Sequence, residues 1–190
     1  ADIDRLIYLF HMPLFFYASG LFVESSGDKY GYRGFVRKTS IALLPPLIIW
    51  SYLQYGLQYI AGAYVNHPVE LIELITAPFP PRQQFWFLGV LFMISLSVGL
   101  LFKYHARHKI VWAVTGILLL AQAVFWDQIQ QMMLYNLWVF LLAQFIVHLP
   151  FFLLGIVLDT QKIRAVKIPS LMCALILAGS LWAYQALYLL

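Results

Sequence analysis

The apolar residues of this chain run on in long blocks, whereas a soluble helix would bring them back at every third or fourth position. Six stretches are apolar almost throughout: Leu6 to Val23, Ile41 to Ala61, Gln84 to Phe102, Ile110 to Trp126, Met133 to Leu158 and Ile168 to Leu190. A helix rising ~1.5 Å per residue needs about 20 such residues to cross a hydrocarbon core of roughly 30 Å, and each stretch comes close to that length or exceeds it. A membrane β-strand would instead alternate apolar and polar residues over about ten positions, a pattern none of these stretches follows. The expected fold class is therefore all-α: a polytopic transmembrane helical bundle of about six spans. It takes up residues 1–190 as a single domain, with no linker, internal repeat or low-complexity tract.

The polar breaks between the stretches carry the direction of the spans. Lys29, Arg33, Arg37 and Lys38 follow the first stretch, Lys103, Arg107 and Lys109 the third, and Lys162, Arg164 and Lys167 the fifth. The remaining basic residues, Arg5 and Arg82, belong to the opposite side. Lys and Arg accumulate in short cytoplasmic loops, so the alternate breaks are expected inside and the N-terminus on the non-cytoplasmic side. Composition agrees, since 63% of residues are hydrophobic and only 11% charged, too few charges for a water-facing surface. Mean hydropathy is +0.81.

A net charge of +4 distributed over loop ends does not make the contiguous basic face that a nucleic-acid binder requires, so no nucleic-acid partner is expected. Membrane lipids are the expected surroundings, and tryptophans near the span ends fit the interfacial belts. The single cysteine, Cys173, lies in an apolar run and has no disulfide partner. The chain begins at Ala1 without Met or a signal-peptide pattern, and it reads as a piece of a longer protein.

Chemistry in such a chain falls to the few polar side chains within the spans. His11 lies in Leu9-Phe-His-Met-Pro-Leu-Phe-Phe-Tyr-Ala-Ser-Gly20. A neutral imidazole there could act as general base on a hydroxyl, or it could simply hydrogen-bond a neighbouring helix. Ser19 is two turns away, about 12 Å along the helix, which excludes a direct Ser-His pair. Pro13 suggests a kink, and Ser19-Gly20 close helix approach. His148, two residues before Pro150, admits the same two readings as His11, and Asn136 and Gln144 are candidates for interhelical hydrogen bonds. His105 and His108 have a spacing that could chelate a metal, but no Cys, Asp or Glu accompanies them, and no metal site is expected. The basic segment Lys29 to Lys38 could hold the inner leaflet or grip a phosphorylated substrate. No Gly-rich phosphate loop or paired-carboxylate site is present.

Four runs taken in order, Phe10-His-Met-Pro-Leu-Phe-Phe-Tyr-Ala-Ser-Gly20, Leu44-Pro-Pro-Leu-Ile-Ile-Trp50, Phe85-Trp-Phe-Leu88 and Leu149-Pro-Phe-Phe-Leu-Leu-Gly155, resemble segments of the acyltransferase family 3 membrane proteins, above all their fucose 4-O-acetylase-like branch. The resemblance implies an O-acyltransferase that moves an acyl group, usually acetyl, from acyl-CoA to a hydroxyl of a sugar, polysaccharide or lipid-linked glycan. It implies no resident cofactor, acetyl-CoA or another acyl-CoA as donor substrate, and a bacterial inner membrane as location. Under it, Arg33, Arg37 and Lys38 become candidates for binding acyl-CoA and His11 for catalysis, with Ser19, Trp86 and His148 lining the pocket or meeting the acceptor. The family's preceding span, which carries an Arg and a His, and its C-terminal spans have no counterpart here, so a partial chain is implied. Kinked helices with midplane polar groups also suit a glycan or lipid transporter, and satisfied core histidines a non-catalytic membrane scaffold.

Overall fold

The computed structural model describes residues 2–64, 69–103 and 108–158. They fold as seven α-helices: α1 (Asp2–Leu21), α2 (Val23–Ala61), α3 (Leu71–Ile75), α4 (Trp86–Lys103), α5 (His108–Val124), α6 (Trp126–Tyr135) and α7 (Leu137–Val157). No strand occurs among the described residues. Three helical segments are long and apolar enough to cross a membrane: Gly31–Ala61, Gln83–Leu100 and Leu137–Val157. The bent pair Ile110–Val124 and Trp126–Tyr135, meeting at 79°, makes a fourth if it is one broken span. At 20 residues α1 is also long enough, but Asp2, Asp4, Arg5 and His11 dilute its apolar character. The expected sixth stretch, Ile168 to Leu190, lies outside the described residues.

Two segments read from the sequence as loops are helical. The basic stretch Lys29 to Lys38 belongs to α2, whose one departure from helical geometry is at Gly31 (φ 63°, ψ 174°). Glycine takes that backbone without a Cβ clash, and Arg and Lys are good helix formers on either side. The polar break after Trp126 forms α6, where Asp127 stabilises the first turn through the helix dipole.

At the centre is α7, which packs against α1, α4, α5 and α6, while α2 packs against α4. Phe16, Val90, Ile94, Phe152, Leu153 and Ile156 are almost wholly enclosed at these junctions. Helices α1 and α7 touch backbone to backbone. A Cβ added at Gly20 would lie 2.1 Å from the Phe152 carbonyl oxygen, and one at Gly155 would lie 2.1 Å from that of Tyr17. Within a membrane, where apolar burial offers helices no gain over lipid, such close small-residue contact is a main source of attraction.

Pro150 lies inside α7 and has no N–H to give the carbonyl of Ile146. Gln122 of α5 supplies the missing donor, its Nε2 reaching Ile146 O at 2.7 Å and Val147 O at 3.2 Å. One carboxamide thus satisfies the backbone that proline leaves open and ties α5 to α7.

Two outcomes follow for stability. Gly155→Val should force α1 off α7 and destabilise the detergent-solubilised protein by about 1–3 kcal/mol or more, measured as a lower thermal midpoint. Gln122→Leu, which keeps the volume but strands the Ile146 carbonyl, should cost about 1–3 kcal/mol in the same measurement.

Candidate functional site

His148 sits about three turns into α7 and is 5% exposed. The residues one helical turn apart along this face are Phe140, Gln144, His148 and Phe152, so the face is set by the i, i+4 spacing of α7 itself. The His148 Nδ1 is 2.8 Å from the Gln144 carbonyl oxygen. A carbonyl can only accept, so Nδ1 carries the proton and donates it, and in the neutral ring Nε2 presents a lone pair.

Aromatic rings from two neighbouring helices flank this imidazole. Phe16 of α1 lies over it at 4.4 Å between centroids, and Trp86, the first residue of α4, at 5.4 Å. Trp86 in turn meets Phe140 edge to face at 5.8 Å. The Gly20–Gly155 contact makes this arrangement possible, because Phe16 lies one turn from Gly20 on the face of α1 that meets α7.

Beyond Trp86 a cavity of about 530 Å³ opens between the start of α4, α6 and the start of α7. Trp86, Phe140, Met133, Leu134 and Leu137 give it apolar walls, and Gln83 and Asn136 its polar groups. Asn136, read from the sequence as an interhelical donor within a span, stands instead between α6 and α7 and caps α7, its Oδ1 accepting the Val139 N–H at 3.0 Å. Among the described residues Gln144 Nε2 meets the Met133 sulfur, at 3.7 Å.

A folded segment closes this end of the bundle. Arg82 pairs with Glu73 of α3 at 2.6 Å and also reaches the buried Tyr55 of α2. Gln83 and Gln84 hydrogen-bond Gln54, and Gln83 exchanges carboxamide hydrogen bonds with Gln58.

Arg33, Arg37 and Lys38 are exposed on α2, toward the other end of the bundle. Arg37 and Lys38 line a groove of about 500 Å³ with Gly34, Ile41 and Ala42. Pro45 and Pro46 lie one turn further on and lack the N–H groups that would bind the carbonyls of Ile41 and Ala42.

Of the residues singled out in the sequence, the structure thus joins Trp86 to His148. His11 is exposed on α1, and no hydrogen bond, ion pair or ring contact links it to His148, Trp86 or Ser19 among the described residues. The Ser19 hydroxyl donates to the Phe15 carbonyl of its own helix at 2.9 Å. His105 and the His108 side chain lie outside the described residues, among which no group of three metal-ligating side chains occurs. Sequence reasoning missed Gln83, Phe140, Phe16 and Gln122. The four-residue spacing of Phe140, Gln144 and His148 and the polar pair Gln83-Gln84 before an apolar run were the available signals.

Among known proteins, a family model described as an acyltransferase domain matches residues 2–190. Comparison with curated proteins and with solved structures returns no match. With the match covering nearly the whole sequence and several helices long and apolar enough to span a bilayer, the chain is an integral membrane protein that belongs to acyltransferase family 3.

Proposed function

We propose that this protein transfers an acyl group, acetyl foremost, from a coenzyme A thioester to a hydroxyl of a sugar, polysaccharide or lipid-linked glycan, with His148 as the general base. The observation that carries this reading is the fixed tautomer of His148: Nδ1–H is held by the Gln144 carbonyl, and Nε2 is left to accept a proton. An acceptor hydroxyl entering from the cavity passes the Trp86 indole and gives its proton to Nε2. Its oxygen forms the new bond to the thioester carbonyl carbon, the carbon–sulfur bond breaks, and the departing thiolate takes the proton back from the imidazolium.

The basic groove supports the donor assignment. Arg37 and Lys38, with Arg33 one turn before Arg37, offer cationic donors that suit the phosphates of coenzyme A. The distribution of basic residues supports a cytoplasmic position for this groove and a non-cytoplasmic one for the N-terminus, and the family resemblance supports a bacterial inner membrane. Donor and acceptor then approach from opposite ends of α2, and Ser19, one residue before Gly20 at the α1–α7 contact, is kept as a candidate pocket residue. His11 is the second candidate base and is tested alongside His148.

The assay is transfer of label from acetyl-CoA to a pool of envelope glycans by the full-length protein in membranes. His148→Ala and His148→Gln should each lower kcat by about 100-fold or more at unchanged protein level, and His11→Ala should keep most of the turnover. The reverse pattern would assign the base to His11, and full turnover in all three variants would sink histidine catalysis in this bundle. Replacing Arg37 and Lys38 together by Ala should raise the acetyl-CoA KM by about tenfold with kcat largely kept.

A further inference from the structure

The segment from Leu71 to Phe85 joins α2 to α4, two helices long and apolar enough to span a bilayer, and its own outer surface is apolar as well. Leu71, Ile72, Ile75 and Phe79 are each more than half exposed, while Ala77 and Pro78 between them are buried. We propose that this segment is inserted in the membrane leaflet farther from Arg37 and Lys38, with those four side chains in contact with lipid acyl chains. The proposal stands independently of the acyl-transfer reading.

Contacts with α2 set the depth. The Tyr52 hydroxyl donates to the Ile75 carbonyl at 3.3 Å, Arg82 reaches Tyr55, and Gln83 and Gln84 hydrogen-bond Gln54 and Gln58. At ~1.5 Å per residue, Tyr52 stands roughly 21 Å along α2 from Lys38, and Gln58 roughly 30 Å. A hydrocarbon core of about 30 Å that begins beside Lys38 therefore ends near Gln58, and the Ile75 carbonyl lies inside it. Interfacial segments sink an apolar face about 5–10 Å into the boundary between headgroups and acyl chains, which is the depth these contacts give. The exposed Leu53, Leu57 and Ile60 of α2 continue the same apolar surface.

The segment is also built to do without water. Non-helical backbone is tolerated at membrane depth only where protein satisfies and covers it. The N–H groups of Glu73, Leu74, Thr76, Ala77 and Phe79 donate to carbonyls of residues 70–76, and Pro78, Pro80 and Pro81 have no N–H to place. From Leu71 to Phe85 the charged residues are Glu73 and Arg82, and they pair with each other at 2.6 Å. Arg82 is turned inward, its Nε fully enclosed, so the one cation of the segment is neutralised and kept from the lipid.

The test uses the full-length protein, its native cysteines replaced, in vesicles of phosphatidylcholine and phosphatidylglycerol. Nitroxide labels at Ile72→Cys, Ile75→Cys and Phe79→Cys report collisions with dissolved oxygen, which concentrates among acyl chains, and with a water-soluble nickel chelate. Oxygen should dominate at all three, as at Leu53→Cys on the exposed side of α2, and nickel at Tyr64→Cys, just past the end of that helix. Nickel dominance at Ile72, Ile75 and Phe79 would overturn the insertion. The unsubstituted protein gives a second reading that no folding defect can obscure, by photolysis with a phosphatidylcholine that carries a diazirine on its acyl chain. Adducts should fall within residues 71–79 as well as on α2, and adducts on α2 with none in 71–79 would overturn the proposal.

Discussion

The backbone contact between α1 and α7 at Gly20 and Gly155 is the constraint on which the rest of this bundle depends. Neither position has room for a Cβ, because each faces a carbonyl oxygen of the other helix. In lipid there is no solvent to expel from between two apolar helices, so attraction comes from close packing and from polar groups that find partners. The approach brings Phe16 over His148 and encloses Phe16 and Phe152 completely.

A second constraint is that backbone polar groups inside a membrane need partners, and the prolines show two settings for it. Pro150 lies where helices pack, and Gln122 of α5 satisfies the carbonyl it leaves open. Pro45 and Pro46 lie on a helix with one side exposed, and the carbonyls deprived of their helical N–H groups belong to Ile41 and Ala42, beside Arg37 and Lys38 in the groove. The first proline is absorbed into the structure, and the second pair gives a polar character to a surface where a charged donor substrate is proposed to rest.

The arrangement separates kinds of chemistry along the bundle. Amide groups and aromatic rings gather at the end where Arg82 and Glu73 pin the segment before α4, and basic side chains gather toward the other. His148 stands between them near the middle of α7. In the proposed reaction, donor and acceptor approach this imidazole from the two ends.

How much of this was legible in the sequence depends on the range of the interaction involved. The helices of the bundle followed from runs of apolar residues, a local property that bilayer thickness converts directly into element length. The break at Gly31 and the helix α6 were missed, because charged residues such as Arg33, Arg37 and Lys38 mark the end of a hydrophobic run but do not end a helix. His148, Trp86 and Pro150 stood out as residue types that are unusual in a span. Their roles did not, since a buried histidine beside an aromatic ring and one exposed on a helix face, as His11 is, look alike in a one-dimensional string. Composition and spacing by themselves determined that this protein lives in a membrane as a helical bundle. Tertiary structure alone decided which histidine is enclosed, which carboxamide answers Pro150 and which tryptophan meets the cavity, because those depend on contacts between residues far apart in the chain.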